Sequence, residues 1–397
     1  MEAFVFFRSG MGGGTGSFAI RLSRKLAENN KEIYYVYSEI NDKNNYDNLK
    51  KLGVKFLQPA QINNTFFSGD SITILAYTIE EYCEAAHLFK RHKRKVILLY
   101  PVMNGITGNH FSNHKSLSRI CYRFTKPYLE HLFINDCILF TEDQLKNKYS
   151  SFYGFKNHKV FAYFPLPITT EKLAEDDIRR RFNSSPRVVV TFFRTDFPLK
   201  GYVFGLIDDM KKLWAEGKDI KLLTIATGEK LDLVKEALGD SLKEGKAQLI
   251  EGCDYEGLKD FIRGSFLNIG HGTSVLDATS LGVPSFVSCD LTYSNLHGGF
   301  LHEKRTVTSH DKDANYQYYD SIKQLLEYDY DEYRDISIKE YNYTKSEFSM
   351  DSFYETLTEL ISKLKNKKIR YDSNTFYLTY KFTFLLQKVF TREGKGK

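Results

Sequence analysis

The stretch FVFFRSGMGGGTGSF, residues 4–18, sets an apolar, strand-like run against five glycines within seven residues. A helical pattern follows at once, with Phe18, Leu22 and Leu26 spaced about one turn apart. A strand, a glycine loop and a helix in succession open a parallel α/β unit. Backbone without side chains at such a place admits a phosphate, or another anionic or polar ligand, to the N–H groups. Gly14-x-Gly16-x-x-Ala19 also fits a loose dinucleotide fingerprint, with Glu39 at the end of the next strand. Two ligand classes are open here: a nicotinamide dinucleotide, or another phosphate-bearing group.

Outward from this point the alternation continues. Strands are expected near 4–8, 32–37, 54–57, 72–76, 96–100 and 138–140. VFAYFPLPITTEK, residues 160–172, holds two of the chain's eight prolines and reads as a hinge. Beyond it the pattern restarts at RVVVTFFRTDFPLKG (187–201), then IKLLTIATG, AQLIEG, FLNIGHG and PSFVS. The halves even begin alike, FVFFRSG against VTFFRTD. Strands alternating with helices require a parallel sheet covered on both faces, here built twice. The expected architecture is α/β, with two Rossmann-like doubly wound parallel-sheet domains facing each other across a cleft. Residues 1–165 form the N-terminal domain and 166–345 the C-terminal one. Residues 346–397 form C-terminal helices and a basic aromatic tail, which either crosses back to the N-terminal domain or lies on a membrane.

Bulk properties agree with this. A length of 397 residues suits two domains, and 42% apolar with 27% charged residues is ordinary for a globular chain. The five cysteines show no C-x-x-C pair, which leaves no legible zinc or disulfide framework and suits a reducing cytoplasm. Glu2 and Arg8 bracket too short an apolar run for a signal peptide, and no run approaches the ~20 apolar residues that span a bilayer. The expected location is cytoplasmic, peripheral on the inner face of the cell membrane if the tail FYLTYKFTFLLQKVFTREGKGK (376–397) meets anionic lipid. KRHKRK (90–95) and RRR (179–181) read as solvated faces, as does DYD at 329–331 despite its likeness to a D-x-D metal motif. No motif supports nucleic-acid binding.

Polar groups gather where strands of the second half should end. Arg194 leaves one strand, and Lys200 precedes Gly201 and a helix; two cations at a helix entrance suit a diphosphate. In NIGHGTSVLDATSLGVP, residues 268–284, Gly270 and Gly272 clear the backbone, and Thr273 and Ser274 stand at a helix start. Their hydroxyls and N–H groups suit phosphate oxygens, and Asp277, one turn on, suits vicinal ribose hydroxyls. The plainer reading makes Thr273 or Ser274 a helix cap and Asp277 an offset to the helix dipole. Cys253, after Gly252, offers backbone to a nucleobase.

Together these residues resemble the C-terminal domain of GT-B glycosyltransferases, particularly glycosyltransferase family 4 and related O-antigen and capsule enzymes. The resemblance implies that Arg194 and Lys200 clamp the donor diphosphate, and that Gly270 to Asp277 form the glycine-rich stretch and ribose carboxylate. It gives residues 1–165 the acceptor-side role and residues 166–345 the nucleotide-sugar-binding one, and it is specific over residues 190–290 only. By the same resemblance Gly14 and Gly16 line the cleft near donor phosphates and acceptor. The family pattern has a glutamate eight residues before the second carboxylate, where this chain has Ile269. His271 and, in NGITGNHFSNH, His110 and His114 are candidate polar or basic groups for catalysis.

The implied activity is a metal-independent, hexosyltransferase-type transfer from a nucleotide-diphosphate sugar, UDP first among nucleotides. The acceptor is a glycan or lipid-linked glycan in bacterial surface polysaccharide synthesis, and no cofactor is expected. Ser9 to Gly13 separate the first strand from the fingerprint glycines, unlike the tight turn of a dinucleotide site. An NAD(P)-dependent oxidoreductase is therefore the runner-up, beside a non-catalytic nucleotide-sugar-binding partner subunit.

Overall fold

A computed structural model describes residues 2–7, 13–37, 43–62, 71–101, 126–155, 158–253, 255–289, 292–307, 309, 314–371, 377–378 and 381. Arg8, Glu39, His110, His114 and most of the tail lie outside the described residues. The chain divides into two compact units, one of residues 1–167 with 350–397, the other of 168–349.

In the first unit β1 (Ala3–Phe7) is central, with β2 (Glu32–Val36) and β3 (Lys55–Leu57) on one side. On the other side lie β4 (Ile72–Ala76) and β5 (Lys95–Leu99), and every pairing is parallel. All five residues of β1 are buried, as expected of a strand covered on both faces. Helix α1 (Gly13–Glu28) begins earlier than the sequence suggests: Gly14 and Gly16 belong to its first turn, not to a loop. Glycine is a poor helix former, so packing holds this turn. Gly16 is buried, and Phe18, Ala19 and Leu22 press into the core.

The second unit repeats the plan around β6 (Arg187–Arg194). From edge to edge the sheet runs β12 (Tyr316–Gln317), β11 (Leu296–Phe300), β10 (Ser285–Ser288), β9 (Leu267–Gly270), β6, β7 (Ile220–Thr227) and β8 (Ala247–Glu251), and α2 (Tyr202–Ala215) follows β6. Strands β7, β8, β9 and β10 are parallel to β6. Helix α3 (Thr273–Thr279) joins β9 to β10. Two antiparallel strands, β11 and β12, extend the edge. They were not expected, because LHGGF carries two glycines and no clear alternation.

Two expectations about charged runs are settled here. Asp329 is the N-cap of α4 (Tyr330–Glu347), accepting from the Glu332 N–H while Glu332 answers to the Asp329 N–H, which gives DYD a capping role. RRR is not wholly solvated. Arg181 is fully buried and donates to the carbonyls of Leu281 (3.4 Å) and Gly282 (2.5 Å), just beyond α3. The last long helix among the described residues, α5 (Met350–Lys365), packs in the first unit, where Phe353 meets Phe18 and Tyr100 at ring centroid distances of 5.5 and 6.0 Å. No helix among the described residues is long and apolar enough to cross a membrane.

His297 on β11 is almost wholly buried, stacked on Phe286 at 4.2 Å and on Tyr318 at 5.3 Å. Burial drives its ring from an ordinary 6.5 down to about 3. A depressed pKa in the folded state gives stability that is present above 6.5 and is lost as pH falls toward 3. From pH 7.5 to 5 this residue alone is expected to remove about 2 kcal/mol of unfolding free energy. Urea titrations of the parent and of His297→Gln check this: the variant's stability should vary less over that interval. Equal slopes would show that His297 does not control it.

Candidate functional site

A doubly wound sheet opens a crevice beyond the carboxyl ends of its strands, where consecutive connections leave in opposite directions. In the second unit that place is between β6 and β9, since β7 lies on one side of β6 and β9 on the other. The loop after β6 carries Lys200 and the loop after β9 carries His271. The two meet. Lys200 Nζ donates to His271 Nδ1 at 2.8 Å and to the His271 carbonyl at 3.0 Å. An ammonium has donors only, so Nδ1 is the acceptor and the ring proton sits on Nε2, leaving a neutral imidazole.

The turn that holds His271 is internally closed. Its N–H donates to Ser274 Oγ at 3.0 Å, and that hydroxyl donates back to the His271 carbonyl at 3.1 Å. Gly272 has φ of +75°, which favours glycine, and its N–H donates to the Val307 carbonyl at 2.7 Å. A Cβ at Gly270 would collide with Ser274 Oγ. Gly272 rather than a hydroxyl side chain occupies the cap position of α3, Thr273 is the first helical residue and half-buried, and Asp277 is buried one turn on. Asn268, buried within β9, donates to the Ser274 carbonyl at 3.4 Å and to Ser285 Oγ at 3.2 Å, which ties α3 to the sheet.

Arg194 is the last residue of β6. Its exposed guanidinium pairs with Asp196 at 2.8 Å. An exposed pair is worth about 0–1 kcal/mol, so an incoming anion can take the guanidinium at little cost. Cys253 is exposed just past β8, following Gly252. Lys200, His271 and Ser274 thus form one connected cluster at the β6/β9 strand ends, with Arg194 on the β6 side. Gly14 and Gly16 lie in the first unit, in the helix that follows its own central strand. Among the described residues, no three His, Cys, Asp or Glu side chains are grouped as metal ligands.

No protein-family model and no curated protein sequence matches the chain. Solved structures do. A glycosyltransferase from Rickettsia africae matches at TM-score 0.65 and 11% identity, over 92% of this chain and 99% of that one. Sucrose-phosphate synthase from Thermosynechococcus elongatus matches at 0.60 and 13%, over 92% and 99%. A UDP-forming trehalose-phosphate synthase from Burkholderia xenovorans matches at 0.59 and 11%, again over 92% and 99%. The chain has the GT-B fold. At such identities the likeness concerns architecture.

Ile269 is wholly buried in β9 and packed in the second unit's core. It offers nothing polar to a ligand. Sequence reading also overlooked Thr195 and Lys230. Thr195 Oγ1 accepts from the Lys230 N–H at 3.1 Å, and a Cβ at Gly228 would lie 2.5 Å from it, so the ends of β6 and β7 are locked together. A glycine and a cation directly after a strand, as in ATGEK (226–230), were the signal. Lys230 is exposed at these strand ends.

The glycine of the KG pair has a packing reason too. A Cβ on Gly201 would lie 2.5 Å from the Thr292 carbonyl oxygen, and one on Gly205 2.5 Å from that of Ser294. Backbone oxygens cannot swing away as a side-chain tip can. Gly205→Ala is therefore expected to lose about 1–3 kcal/mol in denaturant unfolding, whereas Gly217→Ala, with open space around it, loses only the strain of its φ of +74°. A Gly205→Ala protein as stable as the parent would mean that residues 292–295 do not rest on α2.

Proposed function

We propose that the protein is a glycosyltransferase that moves a sugar from a nucleotide-diphosphate sugar, UDP first among nucleotides, to a glycan or lipid-linked glycan acceptor. The setting that fits is bacterial surface polysaccharide synthesis, at the inner face of the cell membrane if the cationic aromatic tail rests on lipid. The observation that carries the reading is the Lys200–His271 contact at the β6/β9 switch point, with Arg194 at the end of the same central strand. GT-B architecture supports it.

In this reading the anomeric C–O bond to the diphosphate breaks, and the electron pair leaves with the phosphate oxygen. Lys200 and Arg194 stabilise the charge that develops there, which lowers the barrier because both are already in place. Thr273 and Ser274, at the start of α3, hold phosphate oxygens through N–H groups, and Asp277 accepts from the ribose hydroxyls. Cys253 and Gly252 border the base. His271, neutral and hydrogen-bonded to Lys200, keeps that ammonium aimed at the site. The acceptor oxygen bonds the anomeric carbon and its proton passes to His110 or to the departing phosphate. His271, expected from the sequence as a candidate base, is not one here, because its Nδ1 lone pair is given to Lys200 and its Nε2 carries the ring proton.

The test is calorimetric titration of the full chain with UDP, beside Lys200→Ala and Asp277→Asn. Lys200→Ala should weaken UDP binding at least tenfold, about 1.4 kcal/mol, with little change in melting temperature. Asp277→Asn should lose preference for UDP over its 2′-deoxy form. Unchanged affinity in both would remove the donor site from this place. Stabilisation by a nicotinamide dinucleotide alone would favour the oxidoreductase, and UDP-sugar binding without hydrolysis or transfer the partner subunit.

Gly16→Val tests the first unit. It should bind UDP but transfer sugar far more slowly, because a β-branched side chain takes the room that donor phosphate and acceptor need beside α1. Some loss of melting temperature is also expected at this buried position. Transfer at the parental rate would leave Gly16 only a helix-packing role.

A further inference from the structure

The first unit contains a cavity of about 570 Å³ at the opposite end of its sheet, beside the residues that lead into β4 and β5. That volume lies in the ordinary range for small-molecule sites. Two basic segments from distant parts of the chain line it. Lys93 and Arg94 come from the turn before β5, and Lys367, Lys368 and Arg370 from the residues after α5. No carboxylate is in the described lining.

The cations divide by what already occupies them. Lys95 closes the 90–92 turn, donating to the carbonyls of Lys90 at 3.1 Å and His92 at 3.2 Å, which fixes the backbone that presents Lys93 and Arg94. Lys365 pairs with Glu2, and Lys363, which lies outside the lining, with Asp136 at 3.2 Å. Those last two also sit in the final turn of α5 or at its end, where cations offset the helix dipole. Lys93, Arg94, Lys367 and Lys368 are exposed and form no ion pair among the described residues. The dipole of α5 does not explain Lys93 and Arg94, which belong to another segment. Merely solvated cations would also be expected to spread over convex surface rather than converge on a hollow.

We propose that this cavity binds a phosphate group bearing two or more negative charges. Four cations on one hollow repel one another, and a multiply charged anion relieves that repulsion. Phosphate suits the donor set better than a carboxylate: its non-bridging oxygens point in several directions, and a guanidinium can take two of them while ammonium groups take the rest. The site lies at the amino ends of the first unit's strands and shares no residue with the proposed donor site in the second unit. The phosphate comes either from a soluble diphosphate compound or from an anionic lipid headgroup.

Full-length protein carrying Lys200→Ala, which removes the donor-site ammonium, is titrated with pyrophosphate against chloride of matched ionic strength. The same protein is sedimented with vesicles of phosphatidylcholine that contain phosphatidic acid, whose terminal phosphomonoester has two ionisable oxygens, and with phosphatidylcholine vesicles alone. Both measurements are repeated with Arg94→Gln, Lys367→Gln and Lys368→Gln added together. These three side chains are exposed, so the melting temperature should be unchanged. The expected result is at least a tenfold loss of pyrophosphate affinity, of vesicle binding, or of both, in the triple variant. Loss with pyrophosphate identifies a soluble ligand, and loss with vesicles alone identifies a headgroup. The proposal is overturned if the parent binds neither probe above the chloride control, or if the triple variant binds both as the parent does. Vesicle binding abolished by Lys388→Gln with Arg392→Gln, yet retained in the triple variant, would assign lipid contact to the tail instead.

Discussion

Parallel pairing of a central strand with partners from distant sequence is the constraint on which everything else rests. Parallel neighbours cannot be joined by a hairpin, so each connection must cross the sheet through a helix. Once β6 has β7 on one side, β9 takes the other, and the crossovers depart in opposite directions. The carboxyl ends of β6 and β9 are then left uncovered by either. Lys200 and His271, 71 residues apart, touch because of this topology and not because of any local sequence signal.

The second unit fixes its candidate helix α3 with buried charge. Arg181 holds the carbonyls that follow it, and Thr344 of α4 donates to Thr279 at 2.7 Å. Glu340, fully buried on α4, accepts from the N–H groups of Ser285 and His302 and from His302 Nδ1 at 2.7 Å. Burial raises the Glu340 carboxyl, and the His302 contact works against that rise. Asp209 serves alike on α2, accepting from Asn295 and from the Tyr319 N–H. An unpaired charge inside would cost several kcal/mol, so each of these side chains is committed to one partner set and sets the path of a loop. Residues 292–302 are held from both sides in this way.

Much of the architecture was legible because parallel strands are buried on both faces and read as continuous apolar runs. Ile72–Ala76 was delimited to the residue, and FVFF and VVVTFF were recognisable as strands for the same reason. Strands near the antiparallel end of the sheet lack that signal: LHGGF, second from the edge between β10 and β12, is buried only at alternate residues. The start of α1 was misplaced because propensity argues against glycine in a helix, while packing decided otherwise. Arg181 was misread because charge density along the sequence carries no information about which of three consecutive arginines turns inward. Lys200 and the 270–277 stretch were visible from their strand-end positions. Their connection through the His271 ring, and the locking of Thr195 to Lys230, exist only in three dimensions.

The chain passes from the first unit to the second after Pro167 and returns before Met350, and at this crossing the Ile168 N–H donates to the Phe348 carbonyl at 2.7 Å. The second unit is thus an insertion whose ends lie side by side. The aromatic cluster of Phe18, Tyr100 and Phe353 draws on both outer segments. On the ribosome, residues 168–349 can therefore reach their native state before the amino-terminal segment has its full core, although they are made later. Until α5 emerges, the first 167 residues wait with part of an apolar face open to solvent. A nascent chain of this design has its period of greatest exposure to chaperones and to aggregation while residues 1–167 lack their partner helix, and ends it only when α5 is complete.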